Sequence, residues 1–337
     1  MIVEFEKMFN TIDVHTAGEP LRLILNGIQT NGYSMKEMKD YVQKNFDLMR
    51  KTLMSEPRGH QGMNGAVITS PFSSKAHFGV IFMNNTGYDQ INGTGIISSV
   101  TAMIETGQLK INKSDNTEVR IDTVNGVVSA YVDLQGSEVK SVTLKSEPSF
   151  IIENNVPVTT LDTCIHVDIV KSGKIFALVN VKDLEYKLDI SHLTDLKRIG
   201  ALLKKEIDDK FLNAMSLDSK DRTVYGVIFV DKPINSISHC RNLTVFADQQ
   251  IDRSPGVFST FSKLTSMFFK NEISIGEEFI NESIISTQFK SEIMELIRLK
   301  DGKSAVISKI KGRAFITGIQ QFVIDSTDPL KEGFLLK

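Results

Sequence analysis

Apolar positions in this chain change period repeatedly, from every second residue to every third or fourth and back again. Residues 9–25 predict a strand, a tight turn at Ala17-Gly18-Glu19-Pro20 and a second strand. Over 36–54 the residues Met38, Tyr41, Val42, Phe46, Met49 and Leu53 recur at helical spacing and predict an amphipathic helix. Residues 65–70 and 77–83 predict paired strands, and 96–104 a short apolar helix that ends near Gly107. Strands follow around 119–121, 127–133 and 142–144.

The pattern then restarts. Strands are predicted at 164–169 and 175–181, a helix at 195–208, and strands at 224–231 and 243–246. A second apolar helix runs to about Phe269, and strands return at 304–310 and 314–324. Residues 146–157, with Pro148 and Pro157, mark the turning point. Residues 1–145 and 160–310 thus predict two similar lobes, although identity between them is too weak to prove duplication. The fold class expected is α/β (α+β). The first lobe takes 1–150 plus 312–337, and the second 151–311.

Composition narrows the function. Charged residues make up 24% of the chain and net charge is −2, which argues against a large basic nucleic-acid face. No apolar stretch reaches the roughly 18 residues of a membrane span, and the start MIVEFEKMFN is not a secretory signal. Two cysteines in this length point to a reducing, cytoplasmic compartment. Cys164 and Cys240 form no CxxC and have no neighbours at zinc spacing, so both read as small buried residues; no metal or cofactor is expected.

Two loops stand out as candidate chemistry. Tyr88-Asp89-Gln90-Ile91-Asn92-Gly93-Thr94-Gly95 and Asp252-Arg253-Ser254-Pro255-Gly256-Val257-Phe258-Ser259 each lead into an apolar helix. Backbone N–H groups at a helix start can hold a carboxylate, so a small carboxylate is the ligand expected. Gly93, Thr94, Gly95, Asp252, Ser254, Gly256 and Val257 are its expected contacts. The same residues also suit plain helix starts, with Ser254 as cap and Pro255 in the first position. Neither loop presents an obvious acid, base or nucleophile. His60 is the surviving candidate base, or else it bonds loop backbone. Glu56 is placed to orient His60 or to pair with Arg58 or Arg22. His15 reads as structural, and His77, His166, His192 and His239 have no motif support.

Residues 11–22 (TIDVHTAGEPLR), 56–60 (EPRGH), 245–248 (VFAD), 250–255 (QIDRSP) and 328–337 (DPLKEGFLLK) resemble the proline racemase family, and within it the trans-3-hydroxy-L-proline dehydratase branch most. The resemblance covers nearly the whole chain. It implies a diaminopimelate epimerase-like fold, in which each lobe is a curved mixed sheet around a central helix. It implies a ligand held at the N-termini of both central helices, and a homodimer. Racemases and epimerases of the family move the Cα proton with two cysteines, one on each face. The dehydratase branch carries threonine at the second position. The aspartate matching Asp252 receives the substrate's ring nitrogen.

This chain departs from that pattern at the positions that carry the chemistry. Asn92 stands at the first cysteine and Thr94 at the neighbouring histidine. Gly256 stands at the second cysteine or threonine. Val257 and Phe258 replace small residues, and Val170-Lys171-Ser172-Gly173 replaces a Tyr-Gly-Gly-like segment. An amide is not a base at physiological pH, and glycine has no side chain. The expectation is a catalytically degenerate relative that binds at most a small amino acid. The alternative is an active lyase or isomerase on a proline-like amino acid, using His60, Asp252 or Thr94.

Overall fold

A computed structural model describes residues 5–111, 117–160, 163–209, 223–247 and 249–336; Asp248 and Lys337 of the matching segments, and the first residues of the chain, lie outside them. The chain separates into two compact units, Met1–Thr143 with Gly312–Lys337, and Leu144–Lys311.

In the first unit β1 (Phe5–Thr16) and β2 (Glu19–Ile24) form a hairpin closed by Ala17 and Gly18, both at positive φ. Helix α1 (Met35–Met54) follows, capped by the Ser34 hydroxyl on the Glu37 N–H. Then come β3 (Asn64–Thr69), β4 (Phe78–Asn84), the short β5 (Tyr88–Asp89), α2 (Gly93–Glu105), β6 (Thr117–Thr123), β7 (Gly126–Gln135) and β8 (Glu138–Lys145).

The second unit runs β9 (Phe150–Thr160), β10 (Thr163–Ser172), β11 (Lys174–Asn180), α3 (Leu193–Ile207), β12 (Gly226–Asp231), β13 (Cys240–Phe246), β14 (Gln250–Asp252), α4 (Val257–Phe269), β15 (Phe279–Ser283), β16 (Gln288–Arg298) and β17 (Ser304–Gly312). The chain then returns to the first unit as β18 (Ala314–Asp325), antiparallel to β1.

The two units use the same topology. β2 is parallel to β3, β3 antiparallel to β4, and β4 parallel to β6. Likewise β11 is parallel to β12, β12 antiparallel to β13, and β13 parallel to β15. β18 flanks β1 as β9 flanks β10. Within each unit one helix lies on each face of the sheet. α1 buries Val42, Met49 and Leu53 against Phe9, Val67 and Ile81. α3 buries Leu196, Ile199 and Leu203 against a cluster that includes Ile169, Ala177 and Phe229. On the other face α2 packs on β1, β2, β3, β7 and β18, and α4 on β9, β10, β11 and β16.

Hydrogen bonds repeat along with the topology. Arg120 N–H donates to His77 Nδ1 and His77 N–H to the Arg120 carbonyl. Ile280 and His239 make the same reciprocal pair. Two residues further on, Asp122 accepts from the N–H groups of Phe72 and Ser73, and Glu282 accepts from Asn235 N–H.

Three expectations are corrected. Residues 146–157, read as the turning point, stay in the sheet: from Phe150 they form β9, which runs through Pro157 opposite His166. Proline is tolerated in such a strand where no ladder bond needs its missing N–H. Cys164 is exposed on β10, not buried; only Cys240 is buried. Glu56 pairs with neither arginine named for it. Arg22 makes a two-pronged contact with Asp13 (2.8 Å each) and donates to the carbonyls of Leu53 and Arg58. Arg58 pairs with Asp328 at 3.1 Å. Glu56 instead bridges through its backbone to Phe334 in the C-terminal segment.

Arg22 therefore ties the β1–β2 hairpin to the end of α1 and to the segment 55–60. Replacing it by methionine leaves Asp13 and two carbonyls without their donor. The expected loss is about 3 kcal/mol in urea unfolding, and an unchanged midpoint would contradict this account.

Candidate functional site

Each loop is built by the same device, a short strand that doubles back before the central helix. In the first unit β5 pairs with β4, Phe82 opposite Asp89 and Met83 opposite Tyr88. The Asn84 amide donates to Asp89 (2.9 Å), and its oxygen accepts from the N–H groups of Thr86 and Gly87. Asn92 is then the N-cap of α2. Its Oδ1 accepts from Gly95 N–H (2.8 Å) and from the Thr94 hydroxyl (2.9 Å). The Thr94 carbonyl accepts from Thr16 at the end of β1. Gly95 is required sterically, since a Cβ there would lie 2.6 Å from the Phe82 ring. The side chain at position 92 thus occupies one of the N–H groups expected for a ligand carboxylate.

In the second unit β14 pairs with β13, placing Asp252 opposite Thr244. Asp252 Oδ1 accepts from the Ser254 N–H (2.9 Å) and hydroxyl (2.6 Å), and the Ser254 oxygen in turn accepts from Gly256 N–H. Ser254 is therefore not the helix cap and Pro255 is not its first residue. Its hydroxyl is committed to the turn, and α4 starts at Val257 with Gly256 as an N-cap that has no side-chain bond. The Pro255 carbonyl is held by the Asn242 amide at 2.9 Å.

Gly256 has φ +70°, a conformation glycine adopts without cost and other residues rarely adopt. A Cβ there would also sit 2.7 Å from Ser259 Oγ, 2.9 Å from Ser259 Cβ and 3.0 Å from Asp252 Oδ2. The space beside this position belongs to Ser259, which hydrogen-bonds Thr244 at 2.6 Å. Val257 is buried. Phe258 lies over Gly173, whose φ is +64°, with Val170, Phe176, Leu178 and Ile228 beneath it.

Burial pushes the half-buried Asp252 carboxyl up to about 6, against the opposing pull of the Ser254 bonds and Arg253. Its Oδ2 has no hydrogen-bond partner among the described residues. His60 is exposed and its Nδ1 lies 2.9 Å from the Gln61 carbonyl, while its own carbonyl accepts from Asn85. His15 accepts from Gly18 N–H and stacks on Phe315, a structural place. Neither cysteine belongs to the loops. Cys240 is buried in β13 with its thiol pushed up to about 12 by burial, and Cys164 is on β10. Among the described residues no group of three or more His, Cys, Asp or Glu is arranged to hold a metal ion, and no helix is long and apolar enough to cross a membrane.

Two consequences are measurable. Gly256→Thr forces a left-handed threonine against Ser259 and should cost about 1–3 kcal/mol, partly recovered by adding Ser259→Gly. A neutral effect on the melting temperature would show that the turn can relax. Asp252 binds its proton more tightly folded than unfolded, where the value is near 3.8. Its ionisation therefore weakens the fold as pH rises from about 4 through 6, and Asp252→Asn should add about 2–3 kcal/mol at neutral pH and almost nothing near pH 4. An equal effect at both pH values in urea titrations would contradict the assignment.

Comparison with known proteins agrees with the fold and the motifs. The family model for proline racemase matches residues 11–335. Trans-3-hydroxy-L-proline dehydratase of Bacillus thuringiensis subsp. konkukian is 39% identical over 99% of this chain and 100% of its own. Proline racemase of Acetoanaerobium sticklandii is 36% identical over 98% of this chain and 99% of its own. The crystal structure of a hydroxyproline epimerase from Agrobacterium vitis with bound trans-4-OH-L-proline superposes with a TM-score of 0.86 at 27% identity, covering 98% of this chain and 96% of that one. The chain belongs to the proline racemase family.

Proposed function

We propose that this protein binds a proline-like amino acid, or a similar small carboxylate, at loop 252–259, and has lost the cysteine-based Cα proton transfer. The observation that carries the reading is what stands at the two loop positions. Asn92 spends its oxygen on its own helix, and Gly256 is a left-handed glycine with Ser259 against it. The chain's two cysteines lie elsewhere, one of them with a thiol that does not ionise at neutral pH. A positioned acid or base contributes about 10²–10⁴-fold, so loss of both leaves the family's reaction close to background. Ligand holding survives that loss: the first turn of α4 carries no side-chain cap, and Asp252 offers a free oxygen to a cationic amine.

One observation favours a second reading. Asp252 Oδ2 is free, lies beside position 256 and titrates near neutrality, as a general base must. In that reading the protein is a lyase or isomerase that uses a carboxylate in place of a thiol.

Thermal shifts with proline, 4-hydroxyproline and trans-3-hydroxy-L-proline test binding. A ligand at 100 times its dissociation constant should stabilise by about 2.7 kcal/mol, and no shift with any carboxylate would defeat the binding claim. Product assays with the same compounds test chemistry. None should racemise, epimerise or dehydrate; turnover abolished by Asp252→Asn would establish the second reading, and turnover abolished by His60→Ala would defeat the claim of lost chemistry without establishing a carboxylate base. Activity should return only when Asn92→Cys, Thr94→His, Gly256→Thr, Val257→Gly and Phe258→Ser are combined. Substantial turnover with Asn92→Cys alone would show that the residues at 257 and 258 need not be small for activity.

A further inference from the structure

The second unit contains a cavity of about 290 Å³ toward the C-terminal end of α4, at the opposite end of that helix from Gly256. Its floor includes Leu178 and Val230, on the same face of β11 and β12 that meets α4. Lys263, Ser266 and Lys270 line it from the helix side, with Asp168 from β10.

The charges here do not cancel. Asp168 is neutralised: it pairs directly with Lys270 and accepts from the Ser266 hydroxyl (2.9 Å) and Asn155 N–H (3.2 Å). Lys263 is half-buried and makes no ion pair or hydrogen bond among the described residues. Asp183 and Glu272, exposed and also lining the cavity, have no ion-pair partner among them either. One unmatched cation, two unmatched carboxylates and an apolar floor therefore share one concavity. The Lys263 ammonium has no counter-charge here among the described residues, and an anion brought to it is stabilised. The acidic residues oppose an anion alone and favour a molecule that also carries a positive group. The volume is at the small end of ligand pockets, which run from about 300 Å³ upward, and excludes a nucleotide.

We infer that this cavity binds a free amino acid with an apolar side chain. Its carboxylate meets Lys263, its ammonium meets Asp183 or Glu272, and its side chain rests on Leu178 and Val230. The inference is independent of the reading given for the two loops, since it involves none of their residues.

Isothermal titration of the full chain with L-leucine, isovalerate and isoamylamine tests it. Leucine should bind, and each of the other two, lacking one charge, should bind about tenfold more weakly or less. Lys263→Met should weaken leucine by about tenfold or more, Lys263→Arg should hold it within about threefold, and Asp252→Asn should leave it unchanged. Should Lys263→Met not fold, Asp183→Asn with Glu272→Gln should bring leucine down to the affinity of isovalerate. No binding of leucine to the unaltered chain, isovalerate binding equally well, or leucine binding lost in Asp252→Asn and kept in Lys263→Met would each overturn the inference.

Discussion

A helix packed on a curled sheet leaves its first-turn N–H groups to be satisfied by a side chain, by water or by a ligand. That requirement organises both loops, and the chain meets it in two different ways. At α2 the Asn92 amide turns back on Gly95 N–H, so the helix closes itself. At α4 the Ser254 hydroxyl stops short at Gly256, and no side chain caps the helix. One position is therefore a helix cap and the other a backbone turn, and each is satisfied within its own loop.

The framework around the loops is held by separate residues. Arg22 clasps the carbonyls of Leu53 and Arg58, and Arg241 clasps those of Leu188 and Ile284. His77 and His239 lock equivalent strand pairs, with Asp122 and Glu282 beside them. None of these groups touches Asn92 or Gly256. These framework contacts are thus made by side chains other than those of the two loop positions.

How far the residues spoke for themselves follows the same division. Helices α1 and α3 were legible because period and burial coincide: Val42, Met49 and Leu53 in one and Leu196, Ile199 and Leu203 in the other meet the sheet. Both glycine loops were legible as turns entering apolar helices. β9 was not, because Pro148 and Pro157 read as a turning point until the partner strand is known. Ser254-Pro255 imitated a helix start, and only the contact with Asp252 shows the hydroxyl to be engaged in the turn. The exposure of Cys164 and the free oxygen of Asp252 depend on tertiary neighbours and have no local signature. That Asn92 caps its helix and Gly256 takes a left-handed turn needed coordinates.

The central claim is that no group at these loops moves the Cα proton. Solvent exchange reads that step directly, because label enters whenever the proton leaves, whatever product forms. Incubated in heavy water with stoichiometric protein, L-proline and trans-3-hydroxy-L-proline should keep their Cα hydrogen at the rate seen without protein. Deuterium at Cα, appearing faster than that and lost in Asp252→Asn, would contradict the account.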